Sequence, residues 1–283
     1  MSRTFLSAAT HRRAATRAAA LACIGMVGLA ACGTAGDAGD NGDPNAAGTS
    51  AADATTGAAA SGTVTVFAAA SLQESFTQIG ADFEAANPGV KVAFSFGPSS
   101  GLAQQINSGA PADVFASASA KNMEQVVETQ AAETPTTFAK NVLQIAVPPA
   151  NPGKVESVND LAKPEVAVAL CQEQVPCGTV SAQVFEKAAI NVTPVTREND
   201  VKAVLTKVQL GEVDAGLVYA TDVTASGEKV KGIEIPADVN ASTSYPIAVL
   251  TEAPNKAGAQ AFVDYVLSSD GAKVITDAGF AAP

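Results

Sequence analysis

The chain has 283 residues, of which 47% are apolar, 16% charged and 5% aromatic. That length and apolar share support a substantial core and exclude disorder for most of the chain. The formal charge is -11, and the one histidine, His11, lies in the first 31 residues; nucleic acid is thereby excluded as a partner, and Ser-His-Asp, Cys-His and His-zinc chemistry as mechanisms of the mature protein.

Residues 1–31 hold four arginines (Arg3, Arg12, Arg13, Arg17), no acid, and an apolar run over 18–31. This reads as an export signal, and the run is too short to stay in a bilayer as a spanning helix. Without it the chain carries 13 basic and 28 acidic residues, a charge of about -15. The string Leu29-Ala30-Ala31-Cys32-Gly33 resembles the lipobox of bacterial lipoproteins. The resemblance implies a lipid on Cys32 and anchorage to the cell membrane; ordinary signal cleavage near Ala31 is the alternative. Residues 33–62 contain only Ala, Gly, Thr, Asp, Ser, Asn and one Pro. No side chain there builds a core, so 32–62 reads as a flexible tether.

From residue 63 the pattern changes. Residues 64–67 predict a strand, and Leu72, Phe76, Ile79 and Phe83 a helix that begins at Ser71 and stops at Asn87-Pro88-Gly89. Residues 90–96 predict a second strand, Leu102 and Ile106 a helix after the turn 97–101, and 112–116 a third strand. This βαβαβ order implies a parallel sheet covered by helices. A second α/β region has strands at 142–147, 166–170, 214–219, 230–235 and 245–250. Its helices follow Gly178 and Asp200, and the chain ends in helices carrying Phe262, Val263, Val266, Val274 and Ile275. Two α/β lobes are expected, with ligand bound in the cleft at the strands' carboxyl ends.

Four strand-to-helix turns put small or hydroxyl residues at a helix start: Ala70-Ser71-Leu72, Pro98-Ser99-Ser100, Pro176-Cys177-Gly178 and Asn199-Asp200-Val201. Unpaired N–H groups there attract anions without a formal cation. Taken singly, each hydroxyl or carboxylate reads as an N-cap. Tyr219 at a strand end reads, on composition alone, as a half-buried core tyrosine. Asp113, Asp214 and Asp222 are scattered over separate strings and read as structural, as do Ser117 and Ser119.

Several strings together resemble the molybdate-binding proteins of bacterial ABC transporters. They are Ala69-Ala70-Ser71-Leu72, Phe96-Gly97-Pro98-Ser99-Ser100-Gly101, Gly109-Ala110-Pro111-Ala112-Asp113, Val175-Pro176-Cys177-Gly178, Glu198-Asn199-Asp200-Val201 and Gly216-Leu217-Val218-Tyr219. The resemblance covers 63–283. It implies a two-lobed type II periplasmic-binding-protein fold, α/β, with mixed, mostly parallel sheets. One lobe is expected from 63–141 with 247–283, the other from 142–246. It also implies that a tetrahedral oxyanion is held by Ser71 and Ser99, by the backbone N–H groups of Cys177 and Val201, and by the Tyr219 hydroxyl. Pro98 and Gly101 depart from the family pattern, which leaves Ser100 as the alternative to Ser99. Every member of that set donates, and a dianion such as molybdate has only acceptors. Hydrogen phosphate carries a proton that needs an acceptor, and the set has none.

The resulting expectation is a binding protein and not an enzyme. It works without a cofactor, capturing molybdate outside the cytoplasm and delivering it to an ABC permease. It is expected as a monomer that meets the membrane through its lipid alone. Tungstate or sulfate is the alternative cargo, and a non-transport envelope interaction lipoprotein the alternative role. Cys23 leaves with the signal and Cys32 takes the lipid, so Cys171 and Cys177 remain as an even pair. They are expected to bridge in an oxidising compartment.

Overall fold

A computed structural model describes residues 61–283. The expected signal, Cys32 and the tether up to residue 60 lie outside the described residues. In the first half, Val64 and Val66 on β1 (Gly62–Ala69) are fully buried. β1 pairs in parallel with β2 (Val90–Gly97) on one side and β3 (Val114–Ala116) on the other. The crossovers are α1 (Gln73–Ala86) and α2 (Ser99–Asn107). Phe76, Ile79 and Phe83 of α1 recur at helical spacing and all enter the core. There Phe83 meets Phe262 edge to face at 5.4 Å, and Phe76 lies 5.7 Å from Phe138. Each such ring is worth about 1.5–3 kcal/mol by burial. The opposite face of this sheet buries Phe67, Leu102, Ile106, Phe115 and Met123, the last from α3 (Ala120–Glu128).

Strand β4 (Thr136–Val147) then carries the chain out of this half. A second α/β unit follows: β5 (Val168–Cys171), α4 (Pro176–Ala188), β6 (Thr196–Glu198), α5 (Val201–Gln209), β7 (Ala215–Tyr219), α6 (Ala220–Ser226) and β8 (Lys231–Glu234). β5 lies parallel to both β6 and β7. Strand β9 (Ser242–Val249) brings the chain back, and α7 (Lys256–Leu267) and α8 (Ser269–Asp277) close the first half. The sheet order is β2-β1-β3-β9-β4-β7-β5-β6, with β8 on β4. β4 pairs antiparallel with β9 through residues 136–142, then with β7 and β8 through residues 143–147. Around these last residues a separate core forms from Leu143, Ile145, Val168, Val204, Leu217 and their neighbours. Two antiparallel strands thus connect two α/β lobes, each with its own apolar interior.

Some elements differ from the sequence reading. Ser71 sits in a short 3-10 turn (Ala70–Leu72), and α1 starts at Gln73. β1 begins at Gly62, where its N–H donates to Gly89 O, inside the stretch read as tether. β4 starts six residues before the expected 142, because Thr136 and Thr137 are exposed and offer no apolar alternation. The 3-residue β6 and the 7-residue α6 are too short to show a period, and α3 was not anticipated. The three aspartates accept backbone hydrogen bonds. Asp113 takes the N–H groups of Thr65 and Asn255, Asp214 that of Ala167, and Asp222 that of Tyr219. Ser119 caps α3.

Cys171 ends β5 and Cys177 is the second residue of α4, and the two are joined by a disulfide with Cα atoms 5.8 Å apart. The turn between them is tight. A Cβ on Gly178 would stand 1.9 Å from the Gln172 carbonyl oxygen, so no larger residue fits there. Replacing both cysteines by serine should lower the unfolding free energy by about 2 kcal/mol, the loop-closure value for so short a ring. Denaturant unfolding measures this, and an unchanged midpoint would contradict it.

Candidate functional site

Between the two lobes lies a cavity of ≈ 20 Å³. That is smaller than the roughly 300–1,000 Å³ of pockets that hold organic ligands, and suits a small inorganic ion. Ser71, Ser99, Cys177, Val201 and Tyr219 all line it. Ser100 does not. The sequence-expected set is therefore brought together, although its members come from five elements spread over 149 residues of chain.

Each wall is built the same way, by a turn that leaves a strand and enters a helix. Ser71 lies just past β1, Ser99 is the first residue of α2, Cys177 the second of α4 and Val201 the first of α5. First-turn amides have no acceptor within their own helix. At α2 and α4 the N-cap positions are Pro98 and Val175, and neither supplies a side-chain cap. An anion in the cavity would satisfy both ends at once and meet the positive poles of their dipoles. At α5 the carboxylate of Asp200 accepts from Ala203 N–H at 2.9 Å. Asp200 is the one charged residue of the lining, and its carboxylate is thereby engaged with its own helix.

The hydroxyls are oriented by residues that the sequence did not single out. Ser99 is 1% exposed, and its Oγ accepts from Ala118 N–H at 2.9 Å, which leaves its proton free to donate into the cavity. Ser71 Oγ stands 2.9 Å from the hydroxyl of Tyr245 on β9, which is fully buried. With Tyr245 donating, the Ser71 proton is likewise directed at the cavity. Tyr219, 1% exposed, has a hydroxyl that makes no hydrogen bond among the described residues. A buried, unpaired donor costs about 1–3 kcal/mol, and here it belongs to the cavity lining. Burial, then the nearby Tyr245 and Asp222, push the Tyr219 pKa well above its usual value, so it stays a neutral donor. No signal in the sequence links Tyr245 to Ser71 across 174 residues.

Behind Tyr219, Asp222 is completely buried. Its Oδ2 accepts from Tyr219 N–H, and Oδ1 lies 2.9 Å from Lys202 Nζ without hydrogen-bond alignment. Burial raises its pKa to about 6, against the opposing pull of Lys202. Among the described residues no group of His, Cys, Asp and Glu could hold a metal ion, and no helix is long and apolar enough to cross a membrane.

A small cavity between two lobes, lined by the starts of three helices and by one buried unpaired hydroxyl, is the candidate solute-binding site. The chain belongs to the family of bacterial extracellular solute-binding proteins, whose sequence model matches residues 64–281. It is 42% identical over 221 residues to the molybdate-binding protein ModA of Mycobacterium tuberculosis, spanning 78% of this chain and 85% of that protein. ModA of Escherichia coli is 34% identical over 235 residues, spanning 77% and 89%. The structure of the periplasmic molybdate-binding protein of Azotobacter vinelandii superposes with a TM-score of 0.69 at 22% identity, covering 78% of this chain and 99% of that one. That likeness supports the two-lobed fold.

Asp222 yields a pH prediction. Its folded pKa, about 6, lies above the ordinary value of about 3.9. The folded protein therefore holds this proton where the unfolded chain has lost it. Stability contributed by Asp222 is full below about pH 4 and is lost as pH rises through 6. Asp222→Asn keeps an acceptor for Tyr219 N–H and has no charge to bury. Relative to wild type it should gain stability between pH 4.5 and 7.5, by on the order of 2 kcal/mol. Thermal melts of both proteins across that range decide it, and a difference that is flat with pH would refute the raised pKa.

Proposed function

We propose that the protein captures molybdate outside the cytoplasm and delivers it to an ABC importer. The observation that carries this reading is one buried hydroxyl, that of Tyr219, which lines the cavity between the lobes and has no hydrogen-bond partner among the described residues. The identity to proteins named as molybdate-binding supports the choice of anion. The proposed contacts are the Ser71 and Ser99 hydroxyls, the Cys177 and Val201 amides and the Tyr219 hydroxyl. A fully ionised tetrahedral dianion offers only acceptors, so it satisfies this set without a counter-cation. Molybdate and tungstate, similar in size and charge, are expected to bind alike. Sulfate is smaller and leaves some donors too distant.

The proposed lobes are 63–141 with 247–283, and 142–246, closing over the anion about β4 and β9. The closed form is the state that docks on the permease. The reading includes a lipid on Cys32 that keeps the protein at the cell membrane, and a monomeric state. The disulfide between Cys171 and Cys177 stiffens the turn that aims the Cys177 amide, which lowers the ordering cost of binding.

Ser71→Ala, Ser99→Ala and Tyr219→Phe should each weaken molybdate binding ten- to a hundredfold, about 1.5–3 kcal/mol for one hydrogen bond to a charged group. Neither serine caps its own helix, but each substitution leaves a buried partner unpaired, the Tyr245 hydroxyl or the Ala118 N–H, at about 1–3 kcal/mol of stability, so each variant is first shown folded by its thermal melt. Titration calorimetry with molybdate measures each loss. Wild-type affinity in all three variants would remove these residues from the site.

A further inference from the structure

We propose that Lys202 is a positioning residue for the anion cavity, its ammonium clasping the turn behind Ser71 to the turn behind Tyr219 and so holding the two lobes closed. Lys202 is the second residue of α5, directly after the cavity-lining Val201. Its Nζ donates to both carboxylate oxygens of Glu74, at 2.8 and 2.7 Å, and lies 2.9 Å from Asp222 Oδ1. Glu74 is the second residue of α1, three residues beyond Ser71. Asp222 is three residues beyond Tyr219 and holds its backbone N–H. One ammonium thus joins the supports of three cavity residues while lining no part of the cavity itself.

The clasp spans the cleft. α1 is anchored through Phe76, Ile79 and Phe83 in one core, and α5 through Val201, Val204 and Leu205 in the other. Of the ion pairs formed among the described residues, Lys202–Glu74 is the one that joins these two cores. Lys202–Asp222 stays within the second lobe, so opening breaks the Glu74 arm and leaves the Asp222 arm intact. The lysine side chain is 19% exposed and Asp222 is not exposed at all, whereas Glu74 is half-exposed, so the cleft-spanning arm is partly screened by solvent and the Asp222 arm is not. Burial opposes the charge on Lys202, but Asp222 and Glu74 outweigh it and raise its pKa, which keeps the clasp charged at neutral pH.

A contact made only in the closed form shifts the open–closed equilibrium by its own free energy. Release of the anion requires opening, whereas capture starts from the open form. The clasp therefore acts on dissociation more than on association. This inference rests on the anion-capture reading above.

The test uses the purified full-length protein loaded with radiolabelled molybdate and chased with unlabelled anion. Glu74→Gln is the primary variant, because Glu74 is half-exposed and its loss leaves Lys202 with Asp222. Glu74→Gln should speed dissociation about tenfold, with the association rate within about threefold of wild type. Lys202→Met should do the same or more, and Lys202→Arg, which keeps the charge, should restore slow release. Raising the ionic strength should accelerate release from wild type more than from Glu74→Gln, a response that a purely structural role would not give. Wild-type dissociation rates in Glu74→Gln would overturn the clasp while leaving molybdate binding intact. Failure of the wild type to retain any molybdate would overturn the capture reading instead, and the clasp's role in retention with it.

Discussion

Holding a small dianion out of water requires that every one of its oxygens meet a donor, and that no carboxylate face it. Residues 61–283 are acidic and hold no histidine, so the proposed site must meet this demand with neutral groups. Four strand-to-helix turns place residues in the lining of one cavity, three of them at the first turns of α2, α4 and α5, where the helix dipole is positive. Fixed dipoles need no counterion and no proton exchange to meet that demand. In the proposed site, the missing side-chain caps on α2 and α4 leave their first amides to the ligand. A residue that capped them would compete with the ligand for their amides.

Donors from two lobes can converge only if the lobes are rigid bodies with a defined relation. Each lobe has its own aliphatic or aromatic interior, and β4 and β9 pass between them as neighbours in the sheet. β4 changes partners after Val142, from β9 to β7 and β8. Asn141 of β4 donates across this junction to Thr221 of α6, 80 residues away, and beside it Tyr245, packed in the first core, bonds Ser71, 174 residues away. The polar groups at the junction thus orient the site as well as joining the halves.

Much of this was legible in the sequence because it is local. Phe76, Ile79 and Phe83 announce a helix by spacing alone. Four of the five proposed contacts sit in short strings whose composition already suggests helix N-termini, Tyr219 sits at a strand end, and the strings themselves carry the family resemblance. Whatever depends on distant chain was not legible. The first half of β4 is held by pairing with β9, not by its own alternation. Tyr245 and Ala118, which fix the two serine hydroxyls, are ordinary residues until the fold brings them to Ser71 and Ser99. The same is true of Glu74, Lys202 and Asp222: three scattered charges become one cluster only in three dimensions.

The central claim is that the cavity is a donor-only site matched to a tetrahedral dianion of molybdate's size. Thermal unfolding at pH 7.5 with equal concentrations of molybdate, tungstate, sulfate and phosphate tests it directly, since a ligand that binds only the folded state raises the melting temperature. The account predicts similar, large increases with molybdate and tungstate, a smaller one with sulfate and none with phosphate. An equal increase with phosphate, or none with molybdate, would contradict it.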